Sequence, residues 1–117
     1  MKKEEQLEKF DTYLQNAKDQ GIYNSFNVYL SKDGGCIIGR LMVGKFGFDK
    51  AKEKIVLFNR ASINLLDDDD AAISNVDRLI AKELQEFPDG FIEKASSIHF
   101  NDFAEDSTIR AMLENLP

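Results

Sequence analysis

The 117-residue sequence has one cysteine and two prolines, and it lacks long apolar runs. The single cysteine, Cys36, cannot form an internal disulfide, which agrees with a reducing compartment. No apolar run approaches the roughly 20 residues needed to cross a bilayer. Lys2 and Lys3 lead into a charged amphipathic segment, whereas a secretory leader continues with an apolar one. We therefore expect a cytoplasmic protein that does not enter a membrane.

The sequence also lacks any Gly/Ser-rich linker, internal repeat or low-complexity tract that would mark a domain boundary. Apolar residues make up 43% of the chain, which is enough for one hydrophobic core. The chain is too short to suggest a second core. We predict a single domain that covers residues 1–117.

The motifs of common catalytic and cofactor sites are missing from the sequence. There is no G-x-S-x-G, phosphate-loop, C-x-x-C or H-E-x-x-H pattern. His99 is the only histidine, and on a strand it would point away from its apolar neighbours as an ordinary surface or second-layer residue. Cys36 follows a predicted turn, where we expect a half-buried small side chain. We therefore predict no enzymatic activity, no cofactor and no metal.

Residues 25–59 have the pattern of antiparallel strands. Apolar and polar residues alternate from 26 to 31, which is the period of a half-buried strand. The following Asp33-Gly34-Gly35 favours a type I′ hairpin turn. A returning strand and a third strand over residues 55–58, with both faces covered, complete the predicted sheet. The hairpin side chains expected in the core are Phe26, Val28, Leu30, Ile37, Leu41 and Val43.

Three other stretches have the three- and four-residue apolar spacing of amphipathic helices. The first covers residues 3–20 and stops at Gly21. The second runs from about Asp69 to Phe87. The third follows Asp102, which is expected to cap it in a capping box with Glu105.

Residues 91–100 fit either a strand or a helical turn, and we predict a strand over their later part. The predicted element order is therefore α-β-β-β-α-β-α. Hairpins and helices that are segregated in this way indicate an α+β domain, with an antiparallel three- to four-stranded sheet and helices packed on one face.

Charge is distributed unevenly along the chain. The net charge is −6, which disfavours nucleic acid as a partner because Lys and Arg supply most affinity for phosphates. Residues 1–60 contain 11 basic and 8 acidic side chains, whereas residues 61–117 contain 4 and 13. The two halves therefore carry +3 and −9, and the acidic half favours a basic partner.

The most acidic stretch is a run of four aspartates, Asp67, Asp68, Asp69 and Asp70. One of them can serve as the N-cap of the second helix, and the others favour its first turn through the helix dipole. Successive residues on a helix point about 100° apart, so the four carboxylates cannot converge on one cation. The surplus charge is nevertheless more than capping requires, and we predict that it contacts a partner.

The stretch Gly44-Lys45-Phe46-Gly47-Phe48 superficially resembles the aromatic, basic strands of RNA-binding sheets. Its glycine and lysine are in the reverse order, and no second aromatic strand accompanies it. Phe46 and Phe48 are therefore core or edge residues, an exposed protein-binding loop, or a stacking surface for nucleic acid. We include both among the predicted partner-binding residues.

These patterns predict a non-catalytic, acidic protein-binding module, of the kind found among inhibitors, immunity proteins, antitoxins and secretion chaperones. Its partner would be a basic protein surface, and a homodimer is compatible with the sequence. The alternative is a sheet that binds a small ligand or nucleic acid through the basic loop around Phe46 and Phe48.

Overall fold

The computed structural model describes the backbone of residues 1–65 and 69–117 and the side chains of residues 1–62 and 73–117. Over these residues the chain forms six helices and one pair of two-residue strands. The elements in chain order are α1 (Lys3–Asp19), β1 (Tyr23–Asn24), β2 (Gly34–Gly35), α2 (Ile37–Phe46), α3 (Phe48–Leu65), α4 (Asp69–Glu83), α5 (Phe91–Asp102) and α6 (Asp106–Asn115).

The predicted α+β fold with an antiparallel sheet is wrong, because the described chain is mainly helical. Its strands β1 and β2 are parallel, and they pair Tyr23 with Gly34 and Asn24 with Gly35. The stretch predicted as the returning strand is α2, and the predicted third strand lies within α3. The stretch 91–100, predicted as a strand in its later part, is α5.

The second predicted strand failed because helix and strand periods coincide at a spacing of four residues. Ile37 and Leu41 share one face in either structure, and both are fully buried, as is Val43. The residues between them are buried as well, because α2 is packed on all sides. Cys36 is the N-cap of this helix, and its Sγ accepts the Gly39 N–H at 3.4 Å.

The third predicted strand failed for a related reason. Ile55 is buried and Phe58 packs against the core, three residues apart on one face of α3. Val56 and Leu57 lie on the other side and are exposed. The four apolar residues are therefore split between two faces of a helix.

The first and second predicted helices are confirmed as α1 and α4, although α4 ends at Glu83 and not at Phe87. The third is confirmed as α6, although its predicted cap is not. Gly21, with a φ of 79°, follows the end of α1 as predicted. Asp102 is the last residue of α5, and Glu105 is the N-cap of α6 without a side-chain cap bond. Ile109 and Leu113 face inward from α6 as the spacing predicted.

The core surrounds α2, which packs against α1, α3 and α5. Gly44 allows α1 to approach, because a Cβ at this position would lie 2.0 Å from the Tyr13 carbonyl oxygen. Phe10, Phe87 and Phe91 form an aromatic cluster with ring centroids 5.5–6.5 Å apart on the α1 side of the core. No helix within the described ranges is long and apolar enough to span a membrane, and the prediction of one domain stays a prediction.

Residues 25–33 connect β1 to β2 as an irregular segment, which we call the crossing loop. It lies against the start of α2, where the Cys36 N–H donates to the carbonyl oxygens of Val28 and Tyr29. Gly39 makes this contact possible, since a Cβ there would lie 1.8 Å from the Tyr29 carbonyl oxygen. The backbone of Tyr29 is thereby fixed, and its side chain reaches α4.

Candidate functional site

A cleft of about 580 Å³ lies between the crossing loop, α4 and α5. It combines apolar and aromatic side chains with several hydroxyl, amide and carboxyl groups, a mixture typical of binding sites. The residues that line it are Asn27, Val28, Tyr29, Ile73, Ser74, Asp77, Ser96, Ser97, Phe100 and Asn101. We call it the Asp77 cleft.

Asp77 is the one acidic residue among the described residues that line this cleft, and it is only 7% exposed. The Tyr29 hydroxyl donates to Asp77 Oδ1 at 2.6 Å. Burial, with a smaller contribution from the nearby Glu93 carboxyl, raises the pKa of Asp77 to about 6. The hydrogen bond from Tyr29 and the nearby Ser96 hydroxyl oppose this rise by favouring the ionised form.

Ser96 adds an unused polar atom to the floor. The residue is fully buried on α5, and its Oγ has no hydrogen-bond partner within 3.5 Å. It lies close enough to the Asp77 carboxyl to favour its ionised form, although no bond of ordinary length joins the two groups. Buried hydroxyls usually have a partner. The other unpaired buried atoms among the described side chains, Gln6 Oε1, Glu93 Oε1 and His99 Nδ1, belong to residues that do not line this cleft.

No cation balances the Asp77 carboxyl among the side chains that the structure describes. The residues whose side chains lie outside the description, 63–72, contain no lysine, arginine or histidine. Carboxylates that are buried in proteins are normally paired with a positive group. The floor of the cleft therefore carries an acid without an internal counter-ion.

The rim of the cleft is apolar on two sides. Val28 and Ile73 are 39% and 46% exposed. The Phe100 ring packs edge-to-face on Tyr29, with centroids 5.6 Å apart. On the remaining side the Asn101 amide donates to Ser97 Oγ at 3.3 Å, which leaves the Asn101 carbonyl oxygen free to accept.

A second buried polar cluster lies around Arg40 of α2. Its guanidinium binds Asp106 through both terminal nitrogens, at 2.6 and 2.8 Å. Nε donates to the Gly35 carbonyl oxygen at 3.0 Å, and Nη2 donates to Asn24 Oδ1 at 3.0 Å. Although Arg40 is only 5% exposed, each of its three side-chain nitrogens donates to an acceptor within the fold.

His99 belongs to this Arg40 cluster, and the prediction that it lies on a strand is wrong. It is fully buried on α5, and its Nε2 lies 2.8 Å from Asn24 Oδ1. Arginine only donates, so the Asn24 atom between them is an acceptor and the His99 Nε2 carries the proton. Burial and the Arg40 charge lower the pKa of His99 to about 4, so the ring is neutral at pH 7.

The run of four aspartates that was predicted to contact a partner lies only partly within the residues that the structure describes. Asp67 and Asp68 lie outside the described residues. Asp69 and Asp70 form the start of α4, and their side chains also lie outside the description. Their positions are one helical turn before Ile73 and Ser74, which line the Asp77 cleft, so the acidic end of α4 continues toward this site.

The charge difference between the two halves of the chain is partly balanced inside the fold. Three ion pairs join a base of the first half to an acid of the second half. They are Arg40–Asp106, Lys45–Glu86 and Lys54–Glu83. The sequence-level balance of −9 therefore overstates the charge that a partner would meet.

Phe46 and Phe48 flank the turn at Gly47 between α2 and α3, so no strand presents them. Both are partly buried and pack against the core. The Phe46 ring has the ammonium groups of Lys45, Lys50 and Lys54 within 5.0–5.8 Å of its centroid. The basic sheet proposed as an alternative site is absent here, while a role of these residues in partner binding stays a prediction.

Cys36 is fully buried, more so than predicted, and burial raises the pKa of its thiol to about 12. The sequence reasoning missed Tyr29, Asp77 and Ser96 as site residues. Asp77 did leave a signal, because it lies within the apolar stripe of α4 between Val76 and Ile80. A carboxyl at a buried helix position requires a partner, and that requirement identifies it.

The chain has no counterpart among the known proteins with which it was compared. No family model, no curated protein and no solved structure matches it.

Proposed function

We propose that the protein is a non-catalytic binding module that takes a basic segment of a partner protein into the Asp77 cleft. The observation that carries this proposal is the buried Asp77 carboxyl, which has no internal cation and faces a cleft with apolar rims. Burial of an unpaired carboxylate is costly. A cation supplied by a partner offsets that cost at the moment of binding.

A protein partner is favoured because the apolar surface extends beyond the cleft. Val28 and Tyr29 also line a second cleft of about 350 Å³ on their other side, together with Ile55 and Val56 of α3. Val28 borders both clefts, with Ile73 in the first and Val56 in the second. Exposed apolar side chains next to an acidic cleft fit a peptide segment that alternates basic and apolar side chains.

The acidic start of α4 supports a basic partner in a second way. Exposed carboxylates next to a binding site accelerate association with a positive surface more than they strengthen the final complex. Asp69 and Asp70 stand one turn from the cleft lining. They would attract the segment that the cleft then holds.

Affinity capture with a matched pair of variants tests the proposal. Ile73→Arg adds a positive charge at the rim, where it would repel a basic segment. Thr108→Arg adds the same charge at an exposed position of α6, which does not line the cleft. We expect the parent and Thr108→Arg to retain one stoichiometric basic protein from lysate, and Ile73→Arg to lose it. Equal retention by both variants would contradict the proposal.

A small organic ligand in the same cleft is the second candidate. The volume of about 580 Å³ lies within the roughly 300–1,000 Å³ that is common for small-molecule sites. The two candidates differ at Val56, which lines only the neighbouring cleft. Val56→Asp should weaken binding of a protein segment and leave binding of a small ligand unchanged.

A further inference from the structure

The floor of the Asp77 cleft offers oxygen acceptors and few free donors. Tyr29 directs its hydroxyl hydrogen to Asp77 Oδ1, so its oxygen can still accept. The second Asp77 oxygen has no cation, and Ser96 Oγ has no partner. An occupant that satisfies this set must donate several hydrogen bonds from one small group.

We infer that the floor binds the ε-ammonium group of one lysine side chain of the protein partner, with the Asp77 carboxylate as counter-ion and the Ser96 hydroxyl as a second acceptor. This inference rests on the proposed function and names the side chain that the cleft selects. An ammonium group has three donors at one point, and its alkyl stem suits the apolar walls.

The aromatic side of the cleft fits the same occupant. Tyr29 and Phe100 stand edge-to-face beside Asp77, and aromatic faces attract cations within about 6 Å. The stem of a lysine would pass between these rings and the rim residue Ile73. The ammonium group would then reach the Asp77 carboxylate while the alkyl stem stays in contact with these apolar side chains.

Arginine fits less well because one carboxylate oxygen is already engaged. The planar guanidinium binds best when it meets both oxygens of a carboxylate, as Arg40 does at Asp106. In the cleft, Asp77 Oδ1 accepts the Tyr29 hydroxyl at 2.6 Å. A bidentate pair would have to compete with that hydrogen bond, whereas an ammonium group needs only the other oxygen.

The inferred site should depend on pH in a defined direction. The titratable groups that face Asp77 are Tyr29 from the crossing loop, Cys36 from the start of α2 and Glu93 from α5. Burial raises the pKa values of Tyr29 and Cys36, so both remain neutral near pH 6. The Asp77 carboxyl then controls binding, because only its ionised form attracts an ammonium group.

The test is a titration of the protein with the capped peptide acetyl-Ala-Lys-Ala-amide, followed by NMR at the amides of Ser96 and Ser97. A peptide with acetylated lysine and one with arginine serve as matched probes. We expect the lysine peptide alone to shift these signals strongly. Its apparent Kd should be about tenfold weaker at pH 5 than at pH 7.5, following the ionised fraction of a group with a pKa of about 6.

Two variants with the same change in charge separate direct contact from general attraction. Asp77→Asn retains the shape and the Tyr29 acceptor, and we expect it to lose at least about tenfold in affinity together with the pH dependence. Asp89→Asn removes an exposed carboxyl outside the cleft and should bind as the parent does. Equal weakening in both variants, or tighter binding of the arginine peptide, would overturn the inference.

Failure of this inference is distinguishable from failure of the proposed function. If the lysine peptide does not bind while Ile73→Arg still abolishes partner capture, the cleft binds a protein segment without a lysine anchor. If the peptide binds at Ser96 while capture is insensitive to Ile73→Arg, the ammonium site stands and the protein-binding proposal fails.

Discussion

Two buried polar clusters, around Arg40 and around Asp77, differ in whether their charged group has a partner of opposite charge. Around Arg40, a buried cation has its carboxylate partner, Asp106, and further acceptors on Gly35 and Asn24. Around Asp77, a buried carboxyl has a neutral hydroxyl donor but no cation in the described part of the chain. The charged groups of the first cluster are paired within the molecule, although the buried His99 Nδ1 has no hydrogen-bond partner. The carboxyl of the second cluster has no cation and faces the Asp77 cleft.

From this comparison we relate the paired cluster to folding and the unpaired carboxyl to binding. A paired cluster such as that of Arg40 links β1, α2 and α6, and its loss leaves groups without partners in the interior. An unpaired carboxyl reduces the stability of the free protein. Its position at the floor of a cleft supports the binding function that we propose.

The largest expected effect is that of Arg40→Met. It leaves the Asp106 carboxylate and Asn24 Oδ1 without the Arg40 guanidinium, and the Gly35 carbonyl oxygen with the Ser25 N–H as its remaining donor. The free energy of unfolding should fall by about 3 kcal/mol or more. Arg110→Met is the matched control, because Arg110 also binds a carboxylate, that of Asp11, through two nitrogens, but at the surface. It should cost less than about 1 kcal/mol. If urea unfolding showed the same loss of stability for Arg40→Met and Arg110→Met, the Arg40 cluster would contribute no more to folding than a surface ion pair does.

Gly39→Ala should have the next largest effect. Its Cβ would lie 1.8 Å from the Tyr29 carbonyl oxygen, and a backbone atom cannot rotate away. Alanine is otherwise better than glycine in a helix by up to about 1 kcal/mol, so a net loss of about 2–3 kcal/mol reports the clash. Thermal unfolding measures this loss. A variant as stable as the parent would show that the crossing loop can move away from α2.

Asp77→Asn should stabilise the free protein by about 2 kcal/mol at pH 7. The raised pKa of about 6 in the folded state means that folding favours the protonated acid, so stability is lost as pH rises from about 4 through 6. Asparagine removes this loss and still accepts from Tyr29. Urea unfolding from pH 4 to 7 should show the gap between variant and parent widening with pH. A constant gap would contradict an unpaired carboxyl.

His99 changes the stability in the opposite direction over the same pH range, which makes this experiment more sensitive. Its pKa of about 4 in the folded state lies below the unfolded value of 6.5, so stability is lost as pH falls from about 6.5 toward 4. In the parent the two residues partly cancel. Asp77→Asn should therefore lose stability more steeply in acid than the parent does.

The smallest expected effect on stability is that of replacing Asp67 and Asp68 together by asparagine. Asparagine retains the ability to cap a helix, so the melting transition should change by less than about 1 kcal/mol. Association with a basic partner should become slower and less dependent on salt, because charge steering is screened beyond about 10 Å at 0.1 M. Stopped-flow measurements of the association rate at several ionic strengths test this prediction. Unchanged rates would mean that the aspartates contribute only to the start of the helix.

The sequence predicted the helices that have a single apolar stripe, but it did not predict the buried helix α2. The apolar spacing in α1, α4 and α6 has no strand equivalent, and these helices were predicted. In α2 the apolar run is continuous, and a run of this kind does not separate a buried helix from a strand.

Glycine gave the most misleading signal. Gly34 and Gly35 have the composition of a hairpin turn, yet they form β2. Gly35 is required for another reason, because a Cβ there would lie 2.8 Å from the Tyr29 carbonyl oxygen. The sequence shows that glycine is present, but the packing that requires it depends on residues far along the chain.

The candidate site was equally hard to predict, because its parts come from three separate segments. Tyr29, Asp77 and Ser96 meet only after α4 and α5 have packed on the crossing loop. Four adjacent aspartates attract attention in a sequence, whereas a single aspartate inside an apolar stripe does not. The informative feature was the position of Asp77 within its helix.

The most direct test of the unpaired carboxyl is its own titration. NMR of the Asp77 side-chain carboxyl carbon gives its pKa in the free protein and in protein saturated with acetyl-Ala-Lys-Ala-amide. We predict a pKa of about 6 for the free protein and a clear decrease in the complex, because a bound ammonium group favours the ionised form. The same pKa with and without the peptide would contradict the account of Asp77 as a buried acid that receives its cation from a partner.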